Sequence, residues 1–368
     1  MKKKNILKTS LKIIGIVLGI LILALLAYIV YLYASYYRIE DNQELVVEAP
    51  VDDATTGAAA VLATDTEYSA VTYNIGFGAY LPDYSFFMDG GTSSWAESPE
   101  TVQYAINGAG ELVKSLDPDF ALIQEIDLDA TRSYHTDEYE MLRNILPEYT
   151  TVFAQNYDSA FLFYPFTQPH GSNRAGLGLF SKYPVSSALR RSFPISTSFS
   201  KFFDLDRCYS VSRIPVDNGK ELVIFNLHMS AYGNSDEIRK GQIEMLCNDM
   251  AKEYEAGNYV LCGGDFNHDL KASEEDTESC ESWAFPFPRT ELPEHFAFCL
   301  DLLSSEEQAA LWNSARNADM EYVPGVTYTV TLDGFIISDN IECLSYENVN
   351  TGYSYSDHDP VKMEFVLK

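Results

Sequence analysis

The chain has 368 residues, 46% hydrophobic and 13% aromatic, enough apolar material for one large domain or two ordinary ones; wholesale disorder is excluded. Its formal net charge is −29. So acidic a balance disfavours a long nucleic acid as partner, because tight phosphate binding depends on Lys and Arg displacing counterions.

Lys2, Lys3, Lys4, Lys8 and Lys12 precede an apolar run from Ile13 to Tyr33, 21 residues without a charge. That is the length a helix needs to cross the hydrocarbon core. Tyr28, Tyr31, Tyr33, Tyr36 and Tyr37 gather at its far end, where an aromatic belt sits. The lysines on the N-terminal side predict a single-pass cell-membrane protein, N-terminus cytoplasmic, the rest extracellular. A cleaved signal peptide is the rival reading. It requires a shorter apolar region ending at a small-x-small site, and the best candidate, around Leu32-Tyr33-Ala34, carries a bulky residue. The six basic residues up to Arg38 face no acidic ones, so the remainder carries 19 Lys and Arg against 54 Asp and Glu, a formal charge of −35. A domain this acidic suits the attraction of divalent cations. Six cysteines show no CxxC spacing, which argues against a zinc ribbon. Cys280 and Cys299 could close a surface loop in an external domain, and Cys262 reads as a small apolar filler.

Residues 1–38 thus form the cytoplasmic lysines and anchor. Residues 39–67, acidic and then rich in Ala, Thr and Gly, read as a flexible spacer. The domain proper runs over 68–368. Ala70 to Gly76 is a predicted strand ending near Asn74, and 80–97 an aromatic loop. Ser98-Pro99-Glu100 opens a helix, with Ser98 as cap, and Asp117-Pro118 stops it. Phe120 to Glu125 is a second strand ending in a carboxylate. A helix over 137–145 precedes an aromatic loop (Phe161, Phe163, Tyr164, Phe166), the turn Gly171-Ser172-Asn173-Arg174 and a strand over Ala175–Phe180. A strand pair at 207–216 and 220–228 ends at His228, and a helix runs from Asp236 to Glu255. Tyr259 to Asn267 is a buried strand that stops at Gly263-Gly264 and presents Asp265 and Asn267. The tail adds a short helix near 305–317, a strand pair around 326–338, and Ser356-Asp357-His358-Asp359 before a last strand.

Strand–helix–strand units alternating with hairpins predict an α/β sandwich with helices outside its sheets. Asn74, Glu125, His228, Asp265, Asn267 and His358 each fall at or near a predicted strand end, so they can converge on one edge. Glu125, Asp357, Asn74, Asp265 and Asn267 offer oxygen ligands, which suit Mg²⁺, with Mn²⁺ second, rather than zinc. Two histidines beside such a site can move protons at a phosphoester. No Ser-His-Asp grouping and no GxxxxGK loop is evident. Each motif alone reads as an ordinary turn or solvated edge; their order carries the inference.

TYNIG at 72–76, LIQEID at 122–127, AGLGLFSKYPV at 175–185, NLHMSAYG at 226–233, GGDFN at 263–267, LDGFIIS at 332–338 and SDHDPV at 356–361 together resemble the endonuclease/exonuclease/phosphatase family. The resemblance covers about residues 68–368. It implies a four-layer α/β sandwich of two mixed sheets, preceded here by the transmembrane helix. It further implies Glu125 as principal Mg²⁺ ligand, with Asn74 and Asp357 completing the metal region. His358 would act at the scissile phosphate, oriented by Asp333. Asp265 would activate or position water, Asn267 would hold a phosphate oxygen, and His228 would be a second histidine, acid or charge stabiliser. Arg174 could contact the phosphate. The chain departs from the family pattern at Leu227 and Gly334, where Thr and an aromatic are common.

The expected activity is hydrolysis of a phosphodiester by in-line water attack, with a small molecule or lipid headgroup favoured. An extracellular nuclease and a non-catalytic binding module are the alternatives. No protein partner is predicted. Aromatic insertions at 80–95, 161–169 and 283–298 read either as mini-cores under long loops or as a lip around the site.

Overall fold

The computed structural model describes residues 2–51, 61–231, 236–273 and 284–368, and it divides into two units, up to Arg38 and from Ile39 onward. In the first unit α1 spans Lys2–Ser35, and its Ile6–Ser35 portion, which holds an 18-residue stretch of mean hydropathy 3.1, is long and apolar enough to cross a bilayer.

In the second unit the strands are β1 (Gln43–Glu44), β2 (Val47–Glu48), β3 (Glu67–Asn74), β4 (Phe120–Ala130), β5 (Thr150–Asp158), β6 (Asn173–Ser181), β7 (Ser187–Ser192) and β8 (Cys208–Pro215). They continue as β9 (Glu221–His228), β10 (Tyr259–Asp265), β11 (Phe296–Phe298), β12 (Ala315–Arg316), β13 (Thr329–Val330), β14 (Asp333–Ser338), β15 (Ile341–Asn348) and β16 (Val361–Leu367). The helices are α2 (Pro99–Leu116), α3 (Glu138–Ile145), α4 (Asp236–Glu255) and α5 (Ser305–Ala310).

Two seven-stranded sheets result, ordered β1-β7-β8-β9-β10-β14-β11 and β15-β16-β3-β4-β6-β5-β2. Each is mixed, with one parallel pair at its middle, β9–β10 in the first and β3–β4 in the second. The inner faces meet in one core, where Tyr68, Phe120 and Leu122 of one sheet join Val223, Phe225 and Leu261 of the other. Ile243, Leu246 and Met250 carry α4 onto the first sheet, and Val102, Ile106, Ala109 and Leu142 carry α2 and α3 onto the second. Helix, sheet, sheet, helix is the expected four-layer sandwich. A buried amide pair bridges the layers: Gln124 Nε2 donates to Asn226 Oδ1 at 2.8 Å, and Asn226 Nδ2 donates to the Gly178 carbonyl at 3.0 Å.

Local signals hold where the sequence stated them. The Ser98 hydroxyl accepts from the Thr101 N–H at 3.1 Å, and Asp117 closes α2 in the left-handed conformation. Several expectations change. The stretch read as a spacer starts the folded unit: Ile39 is buried, Gln43 pairs with Arg190, and Val47 pairs with Val152, so β1 and β2 extend one edge of each sheet. Its Ala- and Thr-rich middle, 52–60, lies outside the described residues. The helix near 305–317 stops at Ala310, because Ala315 and Arg316 are taken up by β13. The strands around 326–338 do not pair with each other, since β14 joins β10 and β11 instead. Among the described cysteines Cys208, Cys247, Cys262, Cys299 and Cys343 are free thiols. Cys280 lies outside the described residues, as does Trp283 of the third aromatic insertion.

Candidate active site

Register assembles the centre. Asp265, the last residue of β10, stands opposite His228 of β9 on one side and opposite Asp333 of β14 on the other. One rung across three strands therefore carries, in order, an imidazole and two carboxylates. From the facing sheet, Asn74 ends β3 and Glu125 lies inside β4. Contrary to the expected strand end, β4 continues five residues past Glu125. The β4–β6 register slips between Ile123 and Ile126, and Glu125 adopts a positive φ of 57°. A non-glycine residue in that region is held there by its surroundings. Asn267 is likewise left-handed, φ 50°.

Asn74 Nδ2 donates to Glu125 Oε1 and to Asp265 Oδ2, both at 3.1 Å, while its Oδ1 accepts the Gly76 N–H at 3.0 Å. Asn74 thus presents nitrogen to the two carboxylates. It orients Glu125 in this arrangement rather than offering an oxygen ligand. Asp265 Oδ2 also lies 3.5 Å from His228 Nε2 and 3.8 Å from His358 Nε2. Its Oδ1 accepts the Asn267 N–H at 2.8 Å, and Asn267 Nδ2 donates to the Met229 carbonyl at 2.9 Å.

His358 donates from Nδ1 to Asp333 Oδ2 at 2.7 Å, and the same oxygen accepts the Ser314 hydroxyl at 2.7 Å. Ser314 and β12 hold this corner together. The Leu332 and Asp333 N–H groups donate to Ser314 Oγ, Asp359 N–H donates to the Ser314 carbonyl, and Arg316 N–H donates to the Asp357 carbonyl. Asp357 packs against the turn after β3, where a Cβ on Gly76 would lie 3.2 Å from its Oδ1.

Burial and charge separate the titratable groups. Desolvation lifts Asp265 to about 7, with Asp333 pushing the same way and the His358 charge opposing. Desolvation lifts Asp357 to about 6; His358 and Arg316 oppose, and Glu125 adds to the rise. Burial would lower His358, but Asp333, Asp265 and Asp357 together hold it well above the ordinary imidazole value. Burial drives His228 well below it, helped by the positive charges of Arg207, His358 and Arg132. One histidine is therefore cationic and the other neutral, and Nδ1 of His228 finds no hydrogen-bond partner among the described residues.

Donor atoms of Asp265, Asp333 and His358 lie within 4.8 Å of one another. Asp333 Oδ2 already serves His358 and Ser314, so this trio is internally paired. Glu125 and Asp357 form the more open oxygen set. Glu125 raises the Asp357 carboxyl by repulsion, and such crowding of carboxylates fits a hard divalent cation.

Arg174 is not brought into this centre: it is exposed, and its Nη2 donates to Asp129 Oδ2 at 3.0 Å. The sequence reading also missed a buried brace behind Glu125. Arg132 forms a bidentate pair with Asp127 at 2.8 and 3.1 Å, its guanidinium lies 3.7 Å from the Phe77 ring centre, and Glu138 accepts the Asp127 N–H. No spacing in the DLDATRS stretch announces a pair that closes only when β4 bends back. The aromatic insertions divide. Tyr80, Tyr84 and Phe86 are core, whereas Phe163, Tyr164 and Phe166 are exposed; in the third, Phe287 is buried and Phe285 exposed.

A two-sheet sandwich with acid and imidazole groups on one strand-end rung is the architecture of phosphoester hydrolases and nucleases. The sequence matches the profile of the Endonuclease/Exonuclease/phosphatase family over residues 71–302, and the chain belongs to that family. The match ends before Asp333 and His358, which the fold then brings in. No curated protein matches the sequence. Among solved structures, ANGEL2, a 2',3'-cyclic phosphatase in complex with adenosine-2',3'-vanadate, superposes with TM-score 0.56 at 11% identity, over 82% of this chain and 96% of that one. The family protein from Bacteroides vulgatus gives 0.54 at 17% identity, over 83% and 100%. D. rerio TDP2, complexed with single strand DNA product, gives 0.54 at 13%, over 82% and 99%. At these identities the likeness concerns the fold.

Proposed function

We propose that the protein is a membrane-anchored, extracellular, divalent-metal-dependent phosphodiesterase acting on a small phosphodiester or a lipid headgroup. The observation that carries this reading is the His358–Asp333 pair set beside Asp265 on a rung shared with His228. Glu125 and Asp357 would hold the cation, Mg²⁺ or Mn²⁺ by their oxygen chemistry, with Asn74 orienting Glu125. When bound, the cation neutralises charge at the phosphoryl oxygens.

The chain's own groups supply the proton chemistry. Asp265, lifted to about 7, can take a proton from the attacking water near neutral pH. Cationic His358, fixed through Nδ1 by Asp333, points Nε2 toward Asp265 Oδ2 and can donate to a phosphoryl oxygen. Asn267 uses one N–H on the Met229 carbonyl and keeps a second for the substrate. His228, held neutral by burial, contributes a hydrogen bond rather than a charge. Arg174 at the rim would have to exchange Asp129 for the substrate to take part.

The formal charge of −35 after Arg38 favours a small or membrane-borne diester over duplex DNA. A nuclease is the second reading, favoured by the nucleic-acid and adenosine ligands of TDP2 and ANGEL2. The full-length protein in detergent, assayed with Mg²⁺ on a bis-aryl phosphodiester, an aryl monophosphate, sphingomyelin and plasmid DNA, separates them. Turnover of the diester or the lipid, with DNA intact, is expected; efficient DNA cleavage with the others untouched sinks the proposal.

A further inference from the structure

The folded unit gathers three segments around one buried arginine. Arg190, 1% exposed, donates from Nε to the Gln155 carbonyl at 2.6 Å, from Nη1 to the Glu40 carbonyl at 3.2 Å and from Nη2 to the Asp206 carbonyl at 2.7 Å. Ile39 N–H donates to Asp206 Oδ2 at 2.8 Å, and Ser192 N–H donates to Asp41 Oδ1 at 2.8 Å. The point where the chain enters the fold is therefore clamped between two segments. Gln155 lies near the end of β5, which leads into the loop carrying Tyr164 and Phe166. Asp206 closes the loop carrying Phe199 and Phe203.

Those four rings are turned outward: Tyr164 is 63% exposed, Phe166 85%, Phe199 46% and Phe203 38%. Aromatic side chains of this kind favour the boundary between headgroups and acyl chains. The helix Lys2–Ser35 ends four residues before Ile39, a stretch of chain that reaches about 14 Å at full extension. A membrane carrying that helix is within reach of the Arg190 cluster.

We propose that the loops 161–166 and 199–203 form a membrane-docking face, inserting their aromatic side chains into the interface of the bilayer that holds the chain's own N-terminal helix. This inference rests on the reading of that helix as a membrane anchor. The end of the second loop reaches the candidate active site: Arg207, next to Asp206, donates to the Met229 carbonyl at 2.9 Å, and that carbonyl also holds Asn267. Docking there would bring the catalytic edge to the headgroup layer, where a lipid phosphodiester is presented.

The test uses the full chain reconstituted in phosphatidylcholine vesicles, with Phe166→Trp and Phe199→Trp as separate variants. Both replace exposed rings with a larger ring, so folding is not at stake. Leu302→Trp is the control, exposed and placed after β11, the opposite edge of its sheet from β1. Vesicles whose lipid is brominated near the headgroup end of the acyl chains should quench about half of the emission added at 166 and 199, as for rings buried several ångströms into the boundary, and none of that added at 302. Chain that floats with the vesicles while the added emission at 166 and 199 stays unquenched overturns the docking face alone. Chain that does not float at all removes the anchor and the docking face with it. Emission at 166 that is quenched by a single-stranded oligonucleotide and not by brominated lipid overturns the proposal in favour of a nucleobase platform.

Discussion

Asp265 and Asp333 stand directly opposite each other on antiparallel neighbours, two buried carboxylates on one rung. Like charges so placed repel, and the fold tolerates them because His358 approaches both, at 2.7 Å from Asp333 and 3.8 Å from Asp265. The repulsion helps lift Asp265 toward neutrality, while the two acids hold His358 cationic. One arrangement thus raises both groups, bringing a carboxylate base near neutrality and keeping an imidazole charged beside it.

Replacing Asp333 by Asn should leave the shape and remove the charge that fixes His358. kcat should fall about 10²–10⁴-fold with KM little changed. The alkaline limb of the pH–rate profile should move to lower pH, since the imidazolium loses its main partner. Steady-state kinetics from pH 6 to 9 check this; an unmoved limb would assign the alkaline limb to another group.

Asp265 should cost stability where it ionises. The folded chain keeps its proton up to about 7, whereas an unfolded Asp releases it near 3.8. Between those values the folded state binds more protons, so stability falls as pH rises through the window. Asp265→Asn, measured with chelator present, should therefore be more stable than the parent at pH 8 by on the order of 2–4 kcal/mol, the gain vanishing near pH 4. Denaturant unfolding at the two pH values is the check.

His170 works in the other direction. Burial, with help from the Arg132 charge, depresses it to about 3 against an ordinary 6.5. Its contribution is complete above 6.5 and is lost as pH falls toward 3. Each pH unit below 6.5 should remove about 1.4 kcal/mol. His170→Gln should lose about 2 kcal/mol less than the parent between pH 7 and pH 5. Urea melts at both values give the comparison.

Gly264 has φ 146°, and a Cβ there would lie 2.1 Å from the Leu227 carbonyl oxygen. Nothing rigid in β9 can yield that much. Gly264→Ala should cost more than about 4 kcal/mol, and the variant should fail to accumulate as folded protein. Near-normal thermal stability of purified Gly264→Ala would falsify the close β9–β10 approach described here.

The sequence announced the strands that end in the site, because each is an apolar run broken by a polar residue, and local pattern suffices to see that. It announced the helix over Asp236–Glu255 at both ends. The edge strands β1 and β2 were illegible: two residues each show no period, and only tertiary pairing to Arg190 and Val152 makes them strands. The bend at Glu125 was hidden because LIQEIDLDA reads as unbroken strand, while the positive φ follows from the slip against β6. Motif order placed Asn74 with Glu125, but it could not tell which end of the amide faces the carboxylate. That depends on the Gly76 N–H claiming the oxygen. Arg174 shows the converse limit: adjacency to a motif in sequence left it paired with Asp129, away from the rung.

The most direct test is hydrolysis of a bis-aryl phosphodiester by the full-length protein in detergent, with Mg²⁺ and with chelator, alongside Glu125→Gln and His358→Ala. Turnover should need the cation and fall by at least about 10²-fold in either variant. Magnesium titration followed by thermal shift should show weakened binding in Glu125→Gln and retained binding in His358→Ala. Turnover that persists in chelator, or that survives His358→Ala, would contradict the assignment of this rung as the catalytic centre.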